Sequence, residues 1–112
     1  MNHGLSAATV EKICGVLARH LQVEKAILYG SRAKGNYKHG SDIDLTLDGH
    51  GLSFDELLKI MGEMDDLLLP YTIDLSIFHI IDHEGLRGHI QRVRQEFYRR
   101  QESAQPLPVQ PG

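Results

Sequence analysis

Residues 42–48 alternate strictly between polar and apolar side chains, a period of two that is typical of a strand with one buried face. The three apolar residues share one side, and the other side holds three aspartates and a threonine. Residues 71–78 repeat the alternation, again with an aspartate, Asp74, on the polar side. We therefore predict a sheet with one face for a core and one face that carries carboxylates.

The stretches between these strands follow the period of a helix instead. Ser53 followed by Glu56 resembles a capping box, and apolar residues then recur at steps of three and four. In chain order we predict a helix over residues 6–21, a strand over 23–29, a short helix over 32–39, the strand 42–48, a helix over 54–68, the strand 71–78 and a helix over 82–100. This alternation indicates an α/β fold, a small mixed sheet with helices packed on its apolar face.

Each long helix has an apolar stripe that we expect to be buried. The stripes are Ala7, Val10, Cys14, Leu17 and Leu21 in the first helix, Phe54, Leu57, Leu58, Met61, Met64 and Leu68 in the third, and Leu86, Ile90, Val93 and Phe97 in the last. Residues 103–112 hold three of the four prolines and no charged side chain, which is typical of an unstructured tail. We therefore assign residues 1–102 to one folded domain.

Size and charge narrow the functional classes. The chain has 112 residues, with 12 Lys and Arg against 15 Asp and Glu, a formal net charge of −3. This size suits one domain with one site, and a nucleic-acid-binding protein would normally carry a basic field for the phosphates. No apolar run approaches the roughly 20 residues of a membrane-spanning helix. The first residues lack the pattern of a secretory signal, so we expect a cytoplasmic protein without direct nucleic-acid or membrane binding.

Gly30 and Ser31 stand where the strand over residues 23–29 gives way to a short helix. A turn of Gly and Ser exposes backbone N–H groups, and the following helix N-terminus adds positive potential, so together they suit phosphate oxygens. Asp42 and Asp44 project from one face of a strand with Cα atoms about 6.6 Å apart, close enough to share cations. Asp74, on the polar face of another strand, is a candidate third carboxylate.

Two other interpretations of these residues compete with a phosphate site. Gly30 and Gly35 have the spacing of the phosphate loop in nucleoside triphosphatases, but Asn36 and Tyr37 stand where that loop needs Lys and Ser or Thr. A solvated acidic face is plausible on energy alone, because two charges about 6.6 Å apart repel by only ~2.5 kcal/mol at an effective dielectric near 20. The coincidence of a phosphate turn, two carboxylates on one face and a third acid nearby favours metal-dependent phosphate chemistry.

The whole motif, Gly30-Ser31 followed by ten residues and then Asp42 and Asp44 in Asp-x-Asp, resembles the minimal nucleotidyltransferases of the DNA polymerase β-like superfamily. The fuller forms G-S-x-A-x-G and S-D-x-D-L are also present. In that family the third acid comes from a later strand, and Asp74 fits this place. The resemblance covers nearly all of the chain ahead of the tail and implies the nucleotidyltransferase fold.

The resemblance also implies a mechanism with ATP as substrate and two Mg²⁺ ions. A hydroxyl would attack the α-phosphorus, pyrophosphate would leave, and the later-strand aspartate would help to remove the proton. The catalytic and metal-binding residues implied are Asp42, Asp44 and Asp74, and the nucleotide-binding residues are Gly30, Ser31, Arg32 and Lys34. For Arg32 and Lys34 the alternative is a solvated helix face.

A stand-alone module of this size looks like the antitoxin of a two-gene pair whose toxin is a helical HEPN-domain ribonuclease. In that family the nucleotidyltransferase transfers AMP from ATP to a tyrosine of the toxin, so the resemblance implies a hetero-oligomer with a HEPN toxin. Two alternatives stay open: an antitoxin that neutralises its partner by binding alone, and an enzyme that modifies a small molecule with a separate helical subunit. The three acids favour catalysis, because a module that only binds has no need of them.

Overall fold

The computed structural model describes residues 3–100, which form one sheet with helices on both of its faces. The helices are α1 (Ala7–Ala18), α2 (Gly30–Lys34), α3 (Phe54–Asp65) and α4 (Glu84–Val93), with a short 3-10 helix at Phe78–Ile80. The strands are β1 (Lys25–Tyr29), β2 (Ile43–Asp48), β3 (Ile73–Ile77) and β4 (Gln95–Arg99). None of the helices in this range is long and apolar enough to cross a membrane. The predicted tail, residues 103–112, lies outside the described residues.

The strands lie in the order β3-β2-β1-β4, and the sheet is mixed, as predicted. β1 runs antiparallel to both of its neighbours, whereas β2 and β3 are parallel. Across the parallel pair, Asp44 lies opposite Asp74 and Leu45 lies opposite Leu75. Because side chains alternate between the faces of a strand, the two aspartates share one face and the two leucines share the other.

The apolar face of the sheet packs against α1 and α3. Ile43, Leu45 and Leu47 are fully buried there, as their alternation predicts. Ser6 caps α1 and Ser53 caps α3, each by accepting a hydrogen bond from the backbone N–H three residues further on. Such a cap is worth about 1 kcal/mol, so the serines help to fix where the two helices begin.

The buried stripes of these two helices agree with the predicted ones only in part, at Leu17, Leu57 and Met64. Burial falls on Ile13, Val16 and Leu17 in α1 and on Leu57, Ile60 and Met64 in α3. The exposed residues that we had expected in the core are Leu21, Phe54, Leu58, Met61 and Leu68. Leu21 and Leu68 are exposed because both helices end earlier than predicted, at Ala18 and Asp65. The other three lie on a second flank of α3, which the sheet does not cover.

Residues 82–100 do not form one helix, so this prediction is wrong. α4 ends at Val93, and the chain then pairs as β4 with the free edge of β1. A sheet edge offers unpaired backbone groups, and Phe97 and Tyr98 suit a strand. Arg100 then donates hydrogen bonds to carbonyl oxygens at the C-terminal end of α1, which holds the end of β4 in place.

α4 lies on the opposite face of the sheet from α1 and α3. Its Ile90 packs with Ile27 and Tyr29 of β1, whereas the alternate residues Ala26 and Leu28 belong to the core under α1 and α3. α4 crosses this face because it connects β3, at one edge of the sheet, to β4, at the other. Helices therefore cover the apolar face, as predicted, and also part of the polar face.

Candidate active site

Two carboxylates meet where β2 and β3 pair in parallel. Asp44 and Asp74 are direct register partners, and adjacent strands lie about 5 Å apart, so the two side chains leave the polar face side by side. Asp42 lies in the extended segment just before β2 and is exposed, as is Asp74. The structure thus pairs Asp44 with Asp74 on the polar face, and Asp42 precedes Asp44 by two residues, close enough for its charge to act on the Asp44 carboxyl.

The negative charge in this cluster acts on Asp44. Burial raises the pKa of its carboxyl above the ordinary value of 3.8, and the charges of Asp74 and Asp42 raise that pKa further. The charge of His89, on α4, acts in the opposite direction and lowers the Asp44 pKa. Carboxylates that repel one another in this way favour the binding of a cation between them.

Gly30, the first residue of α2, lies against this carboxylate. Its φ is +77°, and a Cβ added at this position would overlap with the Oδ2 atom of Asp44. Glycine adopts this left-handed conformation without strain and lets the Asp44 carboxylate approach the backbone. The N–H groups of the first turn of a helix have no intrahelical acceptor. Hydrogen-bond donors from the turn around Ser31 therefore stand beside the carboxylates.

Arg32 is part of the scaffold behind the site. It is only 2% exposed, and its Nε and Nη2 atoms donate to the carbonyl oxygen of Ser41 at 3.1 and 2.9 Å, while Nη1 donates to that of His3 at 2.9 Å. The guanidinium also lies 5.1 and 5.0 Å from the ring centroids of Tyr37 and Tyr71. The solvated helix face considered for Arg32 is therefore wrong, because its contacts fix the loop that precedes β2.

The other residues of α2 differ in exposure. Ser31, next to the glycine turn, is half-buried, whereas Lys34 at the end of the helix is exposed. Ala33 between them is buried, and its carbonyl oxygen accepts a hydrogen bond from Gln95 of β4 at 2.6 Å. The short helix is therefore held by β4 as well as by β1, and this contact fixes the position of the glycine turn.

Two side chains that the motif does not contain complete the surroundings of Asp44. Tyr29 is its antiparallel partner on β1, and a hydrogen bond joins the Tyr29 side chain to Ser76 on β3, so that the tyrosine reaches across β2. The ring of His89 meets Tyr29 edge-on, with 6.3 Å between ring centroids. Tyr29 packs with Ile27 and Ile90. The sequence does not indicate that His89 lies near Asp44, because the position of His89 depends on the path of α4 over the sheet.

A divalent metal ion is the cofactor that the resemblance implies. Within residues 3–100, no three Asp, Glu, His or Cys side chains form a ready-made metal cage. Mg²⁺ does not require such a cage, because it is usually bound by one or two carboxylates together with substrate phosphates and water. The donors available from Asp42, Asp44 and Asp74 are all oxygens, which is the ligand type that Mg²⁺ prefers. The residues present therefore fit this ion.

Comparison with known proteins identifies relatives of the whole domain. A family model described as "Polymerase beta, Nucleotidyltransferase" matches residues 11–103. This range includes the glycine turn, the three aspartates and all four strands. No curated protein matches the chain.

Three solved toxin–antitoxin structures share the fold. One, described as a toxin–antitoxin crystal structure with AMP-PNP, is 18% identical with a TM-score of 0.66, and the match covers 83% of this chain and 75% of that one. A mutant of the MntA–HpeT toxin–antitoxin pair is 15% identical with a TM-score of 0.63 and the same coverages, 83% and 75%. A tri-AMPylated Shewanella oneidensis HEPN toxin in complex with its MNT antitoxin is 15% identical with a TM-score of 0.62, covering 87% and 75%. At these identities the likeness shows a common fold.

Proposed function

Because the chain belongs to the polymerase β nucleotidyltransferase family, we propose that it transfers AMP from ATP to a hydroxyl of a HEPN-type toxin and thereby acts as its antitoxin. The observation that carries this proposal is the register pairing of Asp44 with Asp74 beside Gly30. An acidic sheet face next to backbone N–H donors suits a nucleotide whose phosphates arrive together with Mg²⁺.

Asp42, Asp44 and Asp74 are the residues that would hold two Mg²⁺ ions. When bound, the ions supply positive charge to the entering and leaving oxygens of the transfer. Asp44 is half-buried against the glycine turn, which makes it the fixed member of the set. Asp74 is exposed at its side and would accept the proton of the incoming hydroxyl.

The turn at Gly30 and Ser31, with Lys34, would bind the outer phosphates of ATP. Backbone N–H groups of the first turn donate to phosphate oxygens, and the exposed lysine adds a positive charge. The acceptor hydroxyl then forms a bond to the α-phosphorus, the bond to pyrophosphate breaks, and AMP remains on the acceptor. Arg32 contributes indirectly, because it holds the loop that leads to Asp42.

The proposed partner is supported by the three structural neighbours. All three are toxin–antitoxin structures; one contains AMP-PNP, and another contains a tri-AMPylated HEPN toxin with an MNT antitoxin. A tyrosine of the toxin is the acceptor that the resemblance implies. The present chain would form a hetero-oligomer with such a toxin and block it by modifying it.

Catalysis is favoured over neutralisation by binding alone. The charges of Asp74 and Asp42 raise the pKa of Asp44, which means that the cluster lowers the stability of the folded chain at neutral pH. A surface used only for contact gains nothing from acids that repel one another. A cation and a nucleotide would relieve this repulsion, so the arrangement is explained by the transfer reaction.

The test is to incubate the protein with ATP, Mg²⁺ and the product of the neighbouring gene, the candidate HEPN-type toxin, and to weigh that product by intact mass spectrometry. We expect AMP-sized mass increments with the wild-type chain and a rate at least about 1,000-fold lower with Asp42→Asn. Asp48→Asn is the matched control, because Asp48 lies on the same face of β2 but four positions beyond Asp44. Its rate should equal that of the wild type.

Two other outcomes would replace the proposal. Tight binding of the HEPN-type protein without any mass change would indicate neutralisation by occlusion. Release of pyrophosphate while the partner stays unmodified would indicate a small-molecule acceptor.

A further inference from the structure

One flank of α3 leaves three large apolar side chains in solvent. Phe54 is 61% exposed, Leu58 50% and Met61 39%. They follow one another at steps of four and three residues, which aligns them along one edge of the helix. We call these three residues the α3 ridge. Large apolar side chains grouped on the surface of a small domain are typical of a site of protein contact.

The α3 ridge borders an apolar groove of about 210 Å³ between α3 and β3. Phe54 and Leu57 line it on the helix side, Leu75 and Ile77 on the strand side, and Ile80 at one end. β3 is the edge strand on this side of the sheet, and its outer edge has no partner strand in the described part of the chain. Phe54 belongs to both the ridge and the groove and joins them.

The opposite flank of α3 is occupied by α1. Arg19 and His20, at the end of α1, contact the carboxylates of Glu63 and Glu56. Ile60 and Met64 are buried in the core next to these contacts. The helix is therefore fixed on two sides, and the exposure of the α3 ridge does not come from a loosely held element.

Acidic residues border the α3 ridge. Asp55, Asp65 and Asp66 are exposed on or directly after α3, and Lys59 is the only basic residue within this helix. Gly62 lies one turn after Leu58, and the space beside its Cα is open, so another helix can approach closely there. A partner that complements this surface needs apolar residues at helical spacing, bordered by lysine or arginine.

Charge distinguishes among the possible occupants. A second copy of this chain would place two acidic borders against each other, which repulsion disfavours. The chain's own residues 101–112 contain Glu102 as their only charged residue, so they bring no cation to the surface. We propose that the α3 ridge and groove dock a helix of the toxin that receives AMP, one whose apolar face is flanked by lysine or arginine.

The occupant of this surface is the toxin named in the proposed function, and in this respect the inference rests on that function. Leu75 lines the groove and follows Asp74 directly on β3. Leu75 and Asp74 leave β3 on opposite faces of the sheet, so a partner seated in the groove reaches the exposed Asp74 carboxylate around the outer edge of β3. The surface that binds the toxin and the site that modifies it share one strand.

The test measures binding of the product of the neighbouring gene, the candidate HEPN-type toxin, to the full chain by isothermal titration calorimetry. The double variant Phe54→Ser/Leu58→Ser should weaken binding at least about 30-fold, because apolar anchors carry most of an interface's affinity. Leu21→Ser is the matched control, since Leu21 is 76% exposed but lies in the loop after α1. Asp65→Lys should weaken binding a few-fold at low salt, and this difference should shrink at high salt.

The outcomes separate failure of the docking proposal from failure of the proposed function. If a folded Phe54→Ser/Leu58→Ser variant binds like the wild type, the docking proposal is overturned even when AMP transfer proceeds. Asp42→Asn should bind normally but transfer no AMP, so a bound yet unmodified partner with the wild type would count against the function alone. If deletion of residues 101–112 raises affinity, the surface binds the chain's own tail instead. If the double variant abolishes self-association of the chain, the surface binds a second copy instead. If the wild type does not bind this protein at all, both proposals fail.

Discussion

The two faces of the sheet are made from alternate residues of the same strands, and they have opposite consequences for stability. On the covered face, Ile43, Leu45 and Leu47 are fully buried in the core under α1 and α3. One residue along, Asp44 and Asp74 hold like charges side by side. Because successive side chains of a strand point to opposite faces, core residues and candidate site residues alternate along it. A residue of one kind can therefore be replaced without replacing one of the other kind.

The largest effect is expected on the covered face. Leu45→Ala should lower the free energy of unfolding by about 3 kcal/mol, because it leaves a cavity under α1 and α3. Leu58→Ala is the control, a change of the same type at a half-exposed position, and should cost less than about 1 kcal/mol. Urea denaturation measures both. AMP transfer per folded molecule should stay unchanged in Leu45→Ala, and a loss of transfer at unchanged stability would show that the two faces are not separable.

A side chain at Gly30 should lower the rate of AMP transfer, because it disturbs the polar face and not the core. Gly30→Ala places a Cβ against the Asp44 carboxylate, and a displacement of about 1 Å in a catalytic group costs roughly 100-fold in rate, or ~2.7 kcal/mol. Gly35→Ala is the matched control, since Gly35 also has a positive φ, +88°, but open space around its Cβ. Both variants carry a similar backbone strain of about 1 kcal/mol. If both lose AMP transfer equally, backbone strain rather than contact with Asp44 is the cause.

Arg32 is a buried cation, and it can be compared with the exposed carboxylates of the polar face. Arg32→Lys should lower the free energy of unfolding by about 2 kcal/mol, because lysine cannot reproduce hydrogen bonds to two carbonyl oxygens together with stacking on two rings. Lys34→Ala, at an exposed position of the same helix, should leave stability within about 0.5 kcal/mol but raise the KM for ATP. A raised KM with unchanged stability in Arg32→Lys would instead place its guanidinium on the phosphates.

The features that were predictable from the sequence depend on residues close together in the chain. The alternation over residues 42–48 identified β2 and, in the same step, assigned Asp44 to the polar face, because parity along a strand is a local property. The helix start at Ser53 was predictable for the same reason, since its cap joins residues three apart. The likeness of the glycine turn and the Asp-x-Asp pair to a known family then placed Asp74 beside them.

The features that escaped prediction depend on distant contacts. Phe97 continues the helical period of residues 82–100, and the strand forms there because these residues pair with the free edge of β1, which is distant in the chain. Arg32 was predicted either to bind the nucleotide or to lie on a solvated helix face, because its main acceptor, the Ser41 carbonyl oxygen, lies nine residues away. Leu58 has the spacing of a core residue, but its exposure depends on how many flanks of α3 the sheet covers.

The smallest expected effect is a gain of stability on the polar face. Asp44→Asn removes a carboxyl whose pKa in the folded state is raised by burial and by the charges of Asp74 and Asp42. A raised carboxyl pKa lowers stability above the folded-state pKa, and this loss fades as the pH falls through that pKa and is absent below the unfolded-state pKa. Without divalent cations, the variant should therefore be more stable than the wild type at pH 7.

The pH dependence of this gain in stability tests whether the gain comes from the removal of a negative charge. Urea denaturation in EDTA should show the advantage of Asp44→Asn shrinking as the solution is acidified towards the ordinary carboxyl pKa of 3.8, because the wild-type carboxylate is then neutralised as well. Adding Mg²⁺ and ATP should reverse the order, since binding to the folded state stabilises only a chain that can bind. A variant less stable than the wild type at pH 7 would mean that the attraction between Asp44 and His89 outweighs burial and repulsion, and that the polar face does not reduce stability.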